Sequence, residues 1–282
     1  MLSQNVIKLF SLLFLYKPCD LYLSILTKLD FMAVLNGLNR RLLLIAFVGG
    51  AIAILLIYRN QTTTPPEVHT AEDLLEKVMN ASGTKERYNN IESIKFKKAF
   101  HLYHEDGTIE IDRTELHQYD FSEGTQRHVS WSSGTTNYKL TQKDSDIYQT
   151  INDIRDTTTK VSLQNKLNAA TFVLGLPYTL DSDSSTKTYN GLQDFEGVQA
   201  HELVVTFTGS NDIWSLYYEP TTFAWLGYWV KTSDHYSLVI NDEMTEVDGF
   251  QFSRKRTSYR TDSLKLRQYL RADYDYSNYK IK

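Results

Sequence analysis

The sequence predicts a mainly β (α+β) fold of antiparallel strands, preceded by a single N-terminal transmembrane helix. Three observations carry that prediction. An uninterrupted apolar run, Leu42–Ile57, stands between arginines near the start of the chain. Beyond it the chain is rich in aromatics, with 19 Tyr, 13 Phe and 4 Trp, which together with abundant Thr favour strands. And residues 91–121 read as two long alternating segments around Asp106-Gly107, a strong hairpin signal.

The anchor comes first. At about 1.5 Å per residue, Leu42–Tyr58 covers roughly 25 Å, slightly under a hydrocarbon core of about 30 Å. Arg40, Arg41 and Arg59 can snorkel to make up the difference. A cleavable secretory signal would end in a small-x-small site, but the only small cluster, Gly49–Ala53, lies mid-run. A retained anchor is therefore expected. Two arginines before the span and one after it place the N-terminus in the cytoplasm. The expected organisation is a cytoplasmic leader (1–39), the anchor (40–59), a polar Pro-containing linker (60–69) and an extracytoplasmic domain (70–282). Within the leader, Met1–Phe31 is either an interfacial amphipathic segment or untranslated, with Met32 as the start. The expected localisation is the bacterial inner membrane, single-pass, with the domain in the periplasm.

Composition excludes several classes. A net charge of −4 leaves no basic footprint for nucleic acid. The single cysteine, Cys19, precedes the anchor, so the exported part forms no disulfide.

The domain opens on a helix. Thr70 is a good N-cap, Glu72 and Asp73 suit the first turn, Leu74, Leu75, Val78 and Met79 form one apolar face, and Gly83 suits the stop. In the hairpin, pairing Glu105 with Thr108 puts Ile94, Phe96, Phe100 and Leu102 on one face, opposite Ile109, Ile111, Tyr119 and Phe121. A one-residue slip would scramble that segregation. The same register sets Lys98 beside Glu115, with Arg113 and His117 nearby, on the apolar face. Either they contact a polar head group or they form a satisfied structural pair. Short strands follow at Gln126–Ser132, Thr135–Gln142 and Asp146–Asn152. Residues 160–174 are helical, with Leu163, Leu167, Ala170 and Leu174 on one face. Leu180–Gly191 reads as polar loop with one short strand at most. Strands resume at Val198–Thr208, Asp212–Glu219, Thr222–Lys231, His235–Asn241, Gly249–Tyr259 and Ser263–Tyr274. A tight turn at Pro220-Thr221 would put Trp214, Trp225 and Trp229 on one face, either as a hydrophobic ligand surface or as ordinary core.

The catalytic inventory is poor. No HExxH, GxSxG, P-loop or dinucleotide-binding glycine motif is present. His101 and His104 point to opposite faces of one strand and cannot share a metal. No enzyme activity, cofactor or metal is expected.

The order of helix, long hairpin (IKFKKAFHLYHEDGTIEID), meander, ATFVLGLPYTLDSD, then HELVVTFTGSNDIWSLYYEPTTFAWLGYWVKTS and EVDGFQFSRKRTSYR resembles an uncharacterised domain family of exported Bacteroidota proteins. That family is similar in outline to the lipoprotein carriers and receptors of the LolA/LolB type. The resemblance covers roughly residues 70–282 and rests most on Gly175–Leu180 and on the Tyr-x-x-Pro-Thr-Thr turn with Leu226–Tyr228. It implies an unclosed antiparallel β-barrel or curved sheet wrapped around one or two helices, with an apolar concavity suited to acyl chains. The carriers are soluble or lipid-anchored, so the expected transmembrane anchor favours a tethered receptor over a shuttle. The expected function is binding of a lipid, acyl chain or other apolar small molecule. The expected lining is Phe96, Phe100, Leu102 and Ile111 from the hairpin, Trp214, Trp225 and Trp229 from the later sheet, and Phe172 and Leu176 around the second helix. Lys98, Arg113 and Glu115 are the candidate head-group contacts. The alternatives are an envelope module that docks a protein partner and, third, an envelope hydrolase. An open apolar cavity favours binding, a filled barrel with an exposed apolar edge favours docking, and clustered perturbed titratable groups in a cleft favour catalysis.

Overall fold

The computed structural model describes residues 66–282, apart from 123, 158 and 159 and the side chain of residue 169. The expected anchor (40–59) and the leader before it lie outside the described residues. Among the described residues no helix is long and apolar enough to cross a membrane.

Helix α1 (Ala71–Ser82) begins where the capping pattern requires. The Thr70 hydroxyl accepts from the Asp73 backbone N–H at 3.1 Å, and Gly83 ends the helix with φ +120°. A short α2 (Lys85–Asn89) leads into the sheet. Strands β1 (Ser93–Tyr103), β2 (Ile109–Asp120), β3 (Gln126–Ser133), β4 (Thr136–Lys143), β5 (Asp146–Ile151) and β6 (Ile154–Arg155) follow as a meander. Then come α3 (Lys160–Leu174) and a 3₁₀ turn (Tyr178–Leu180). The second run is β7 (Ser185–Phe195), β8 (Val198–Phe207), β9 (Ile213–Tyr218), β10 (Trp225–Lys231), β11 (Tyr236–Val247), β12 (Phe250–Thr261) and β13 (Arg267–Ile281).

All thirteen strands form one antiparallel sheet in the order β6-β5-β4-β3-β2-β1-β13-β12-β11-β10-β9-β8-β7. Every neighbour is a sequence neighbour except β1 and β13, which join the two runs. The sheet is not closed. Its edges, β6 and β7, are linked through residues 156–184, which carry α3 and the 3₁₀ turn.

One face of the sheet holds both long helices. Leu74, Leu75 and Val78 of α1 pack with Leu203, Leu216, Tyr228 and Val239 of β8–β11. Leu163 and Leu167 of α3 pack with Phe96, Tyr119, Val129 and Leu140 of β1–β4. A smaller cluster on the opposite face unites Phe195, Tyr217, Trp229 and Leu238.

The expected β1–β2 register holds from Ser93↔Asp120 to Leu102↔Ile111, including Lys98↔Glu115. Only the tip differs from a two-residue turn. His104 C=O accepts from Gly107 N–H at 3.0 Å, Gly107 has φ +82°, and a bulge then pairs Tyr103 with Ile109. This is the longer hairpin loop, in which a left-handed Gly supplies the bulge. Asp106 Oδ1 accepts from both the backbone N–H and the hydroxyl of Thr108, fixing it.

The β9–β10 register differs more. Trp214 pairs with Val230, and not with Gly227. The turn is not tight, because Glu219 accepts from the N–H groups of Thr221 and Thr222 and from the Thr222 hydroxyl, which holds a wider loop. A bulge between Trp225 and Gly227 then reverses the alternation. Trp225 faces the helices and Trp229 faces away from them. In the stretch Leu180–Gly191, read as polar loop with one short strand at most, an edge strand begins at Ser185 and runs on to Phe195. With polar residues on both faces it carries no apolar alternation to announce it.

Candidate functional site

Rows of directly paired residues run across the helix-bearing face. One joins Leu102, Ala272, Ser258, Val239, Tyr228 and Leu216. The next joins Arg113, Phe100, Tyr274, Arg256 and Asn241. Between these rows and α3 lies a cavity of about 1370 Å³. That is more than the roughly 300–1,000 Å³ usual for a small-molecule site.

Its walls differ. Phe207, Trp214, Tyr228 and Val239 of β8–β11 with Phe172 and Val173 of α3 make an apolar wall, edged by Asn165, Lys166 and Asn168 of α3. The Phe172 ring lies 5.0 Å from Trp214 and 5.5 Å from Phe207, and Trp214 lies 5.2 Å from Tyr228. β1, β2 and β12 make a charged wall of Lys98, Arg113, Glu115, Arg256 and Arg260.

Glu115 organises part of that wall. Its carboxylate lies 3.1 Å from His117 Nε2, 3.5 Å from Arg113 and 3.9 Å from Lys98. Burial alone would raise its pKa. The His117 hydrogen bond and the neighbouring cations outweigh that and hold it below the usual carboxylate value. Burial pushes the His117 imidazole down, against the opposing pull of Glu115. A neutral ring then donates from Nε2 to Glu115 and accepts at Nδ1 from the Tyr119 hydroxyl, 2.7 Å away. The ring also stacks on Phe96 at 4.6 Å. Both ring nitrogens are engaged, so this perturbed cluster reads as a satisfied network and not as a general base facing substrate.

Of the expected lining, Phe96, Leu102, Phe172, Leu176, Trp214 and Trp225 border the cavity, as do Lys98, Arg113 and Glu115. Three residues do not. Phe100 is buried beside Tyr274, with the Lys98 ammonium 4.6 Å and the Arg113 guanidinium 5.9 Å from its ring. Ile111 pairs with Leu102 near the hairpin tip but stays outside the lining. Trp229 lies on the opposite face, stacked on Tyr236 and donating to the Thr261 hydroxyl at 3.0 Å.

Sequence reasoning missed Arg256 and Arg260. Period-two spacing from Phe252 would have carried both onto the inner face, as it did for Lys98. Arg256 stands over the Trp225 ring at 4.7 Å and Tyr276 at 5.4 Å, with Nε donating to Asn241 and Ser253 at 2.8 Å each. Burial raises the Tyr228 hydroxyl to about 12, and the Arg256 charge pulls against it.

No family model matches the chain, and no curated protein matches it. Among solved structures, a DUF1329 family protein from Desulfovibrio piger is similar at 10% identity and a TM-score of 0.51, over 76% of this chain and 94% of that one. A LolA superfamily protein from Nitrosomonas europaea aligns at 10% identity and a TM-score of 0.48, over 76% and 94%. A putative outer membrane lipoprotein-sorting protein domain from Vibrio parahaemolyticus aligns at 10% and 0.44, over 75% and 93%. At 10% identity the likeness to the first of these is one of fold alone.

Proposed function

We propose that this chain is a membrane-tethered, extracytoplasmic binding protein for a lipid or acyl chain. The observation that supports it most is the cavity of about 1370 Å³ on the helix-bearing face, unfilled between an apolar and a charged wall. A filled sheet-and-helix sandwich would leave no such space, since interiors pack at crystal-like density. Trp214, Trp225, Phe172 and Leu176 are the proposed chain contacts, supported by their place in the lining. Phe96 and Leu102 extend the contact surface toward the hairpin. In this reading, residues 40–59 hold the protein in the inner membrane with its N-terminus in the cytoplasm and the cavity in the periplasm, and the ligand is an envelope lipid or the acyl part of one.

The test uses the full chain in living cells fed a diazirine- and alkyne-bearing fatty acid, which enters both the free fatty acid and the phospholipid pools. After irradiation, labelled peptides are mapped by mass spectrometry. The expected result is labelling of peptides carrying Phe172, Trp214 or Trp225, lost in Trp214→Glu. Labelling confined to residues 40–59, or absent altogether, would overturn the proposal.

A further inference from the structure

We infer that the cavity recognises its ligand through an oxyanion, a carboxylate or phosphodiester joined to the acyl chain, and that Arg256 holds it. The inference rests on the acyl-chain reading above and names the chemistry of the head. Arg256 is only 6% exposed. Its Nε is fixed by Asn241 and Ser253, and its guanidinium plane is steadied by Trp225 and Tyr276. Among the described residues it has no carboxylate partner, and its two terminal amines donate to no protein acceptor. Both are left for the cavity that Arg256 lines.

Three other cations of the sheet are accounted for differently. Lys98 and Arg113 share Glu115, and Arg271 pairs with Glu110 at 2.5 Å. A buried guanidinium without a counterion is costly to maintain, and its fork of donors matches a carboxylate or phosphate in bidentate fashion. The described residues supply no such anion, and the head of the bound ligand is the partner assigned to it.

Arg260 supplies the approach. It lies four residues further along β12, about 13 Å away at ~3.3 Å per residue. It lines the same cavity beside the β10–β11 turn, with one amine donating to Ser237 at 2.6 Å and no carboxylate partner among the described residues. An anion drawn past Arg260 reaches Arg256, while Trp214, Tyr228 and Val239 offer the chain an apolar surface alongside.

The purified full chain is photolabelled with three diazirine probes of equal chain length: a fatty acid, the corresponding fatty alcohol and a lysophosphatidylglycerol. The expected result is half-maximal labelling by at least one anionic probe at about tenfold lower concentration than the alcohol. Whether the carboxylate or the phosphodiester is preferred identifies the source. Arg256→Met is expected to remove that preference while alcohol labelling persists, and Arg256→Lys to restore part of it. Equal labelling by alcohol and both anions would overturn the oxyanion and leave the acyl site standing. No cavity labelling by any probe would overturn the acyl reading and this one with it. A preference that survives in folded Arg256→Met would overturn the assignment to Arg256. The wild-type comparison decides the oxyanion even where the Met variant fails to fold.

Discussion

The two walls of the cavity adjoin in one sheet but are held together by different physics. The β8–β11 wall is ordinary core continued to a surface. Leu203, Leu216, Tyr228 and Val239 pack under α1, and Trp214 and Phe172 extend that packing to the opening. It is stabilised by burial, at roughly 25 cal/mol per Å² of apolar area. The wall of β1, β2 and β12 instead places cations on an inner face, where each is tolerable only with a partner. Glu115 serves two of them, and Arg256 has none within the described chain. An apolar wall can be complete without a ligand, whereas a charged wall with an unmatched arginine cannot. The asymmetry is what points from scaffold to function.

The sharpest way to break the apolar wall is to remove its bulge. Gly227 has φ +154°, and a Cβ there would meet Val239 O at 2.2 Å and Phe195 Cζ at 2.8 Å. The first of these contacts is backbone and cannot rotate away. Gly227→Val is expected to cost about 3 kcal/mol or more, because strain and overpacking add. Loss of folded protein, or a midpoint shift of that size in urea, is the expected result. A shift under about 1 kcal/mol would mean that the bulge does not fix which tryptophan faces the cavity.

The charged wall should break next most easily. Glu115→Leu leaves Lys98 and Arg113 on the inner face without their carboxylate and removes the acceptor of His117. The expected loss is roughly 3 kcal/mol, since breaking a buried pair strands the surviving charges. Adding Lys98→Met and Arg113→Met to that variant should recover most of it, because an apolar replacement of the whole cluster suits the site better than half of it. Failure of the triple variant to recover would show that Glu115 acts through His117 and Tyr119 and not through the cations.

The same contrast is why the two walls were unequally readable. Alternation in residues 91–121 revealed the register and set Lys98 beside Glu115, because one face was apolar and a slip would have been visible. Trp225 and Trp229 carry no such marker. Their relative facing turns on a bulge at Leu226-Gly227 and a wide Glu219 loop, both set by local hydrogen bonds that spacing does not reveal. Arg256 was hidden for a different reason. Period two from Phe252 carries Arg256 inward, but the same count carries Arg254 inward, and Arg254 is exposed. QFSRKRTSYR therefore reads as a solvated face until β13 is placed beside β12 and β1.

A smaller effect separates the walls by pH. Burial holds His117 below its ordinary value of 6.5, and Glu115 is held below 4.5, its hydrogen bond and cations outweighing burial. Groups with depressed folded-state values contribute stability that is present above their unfolded values and lost on acidification. Stability should therefore fall as pH drops below about 6.5, through the His117 range first and then through that of Glu115. Melting temperatures of wild type and His117→Asn, measured from about pH 7.5 down to pH 5, should converge as acid removes the wild-type advantage. Parallel curves would assign the acid response elsewhere.

The least disruptive change is the most informative about the ligand. Lys98 lies 3.9 Å from Glu115 without a hydrogen bond, and its ammonium stands 4.6 Å from the Phe100 ring and 5.2 Å from Tyr274. Arg113 and His117 would still serve Glu115 in its absence. Lys98→Met is thus expected to shift stability by less than about 1 kcal/mol, near the range of partly solvated pairs. It should also leave the preference for an anionic probe over the alcohol intact, because that preference is assigned to β12 and not to the hairpin. If Lys98→Met abolished the preference as Arg256→Met is expected to, the anion would sit over β1 and β2. The carboxylate of Glu115 would then be a competitor for the head group, and the charged wall would bind ligand by exchanging one anion for another.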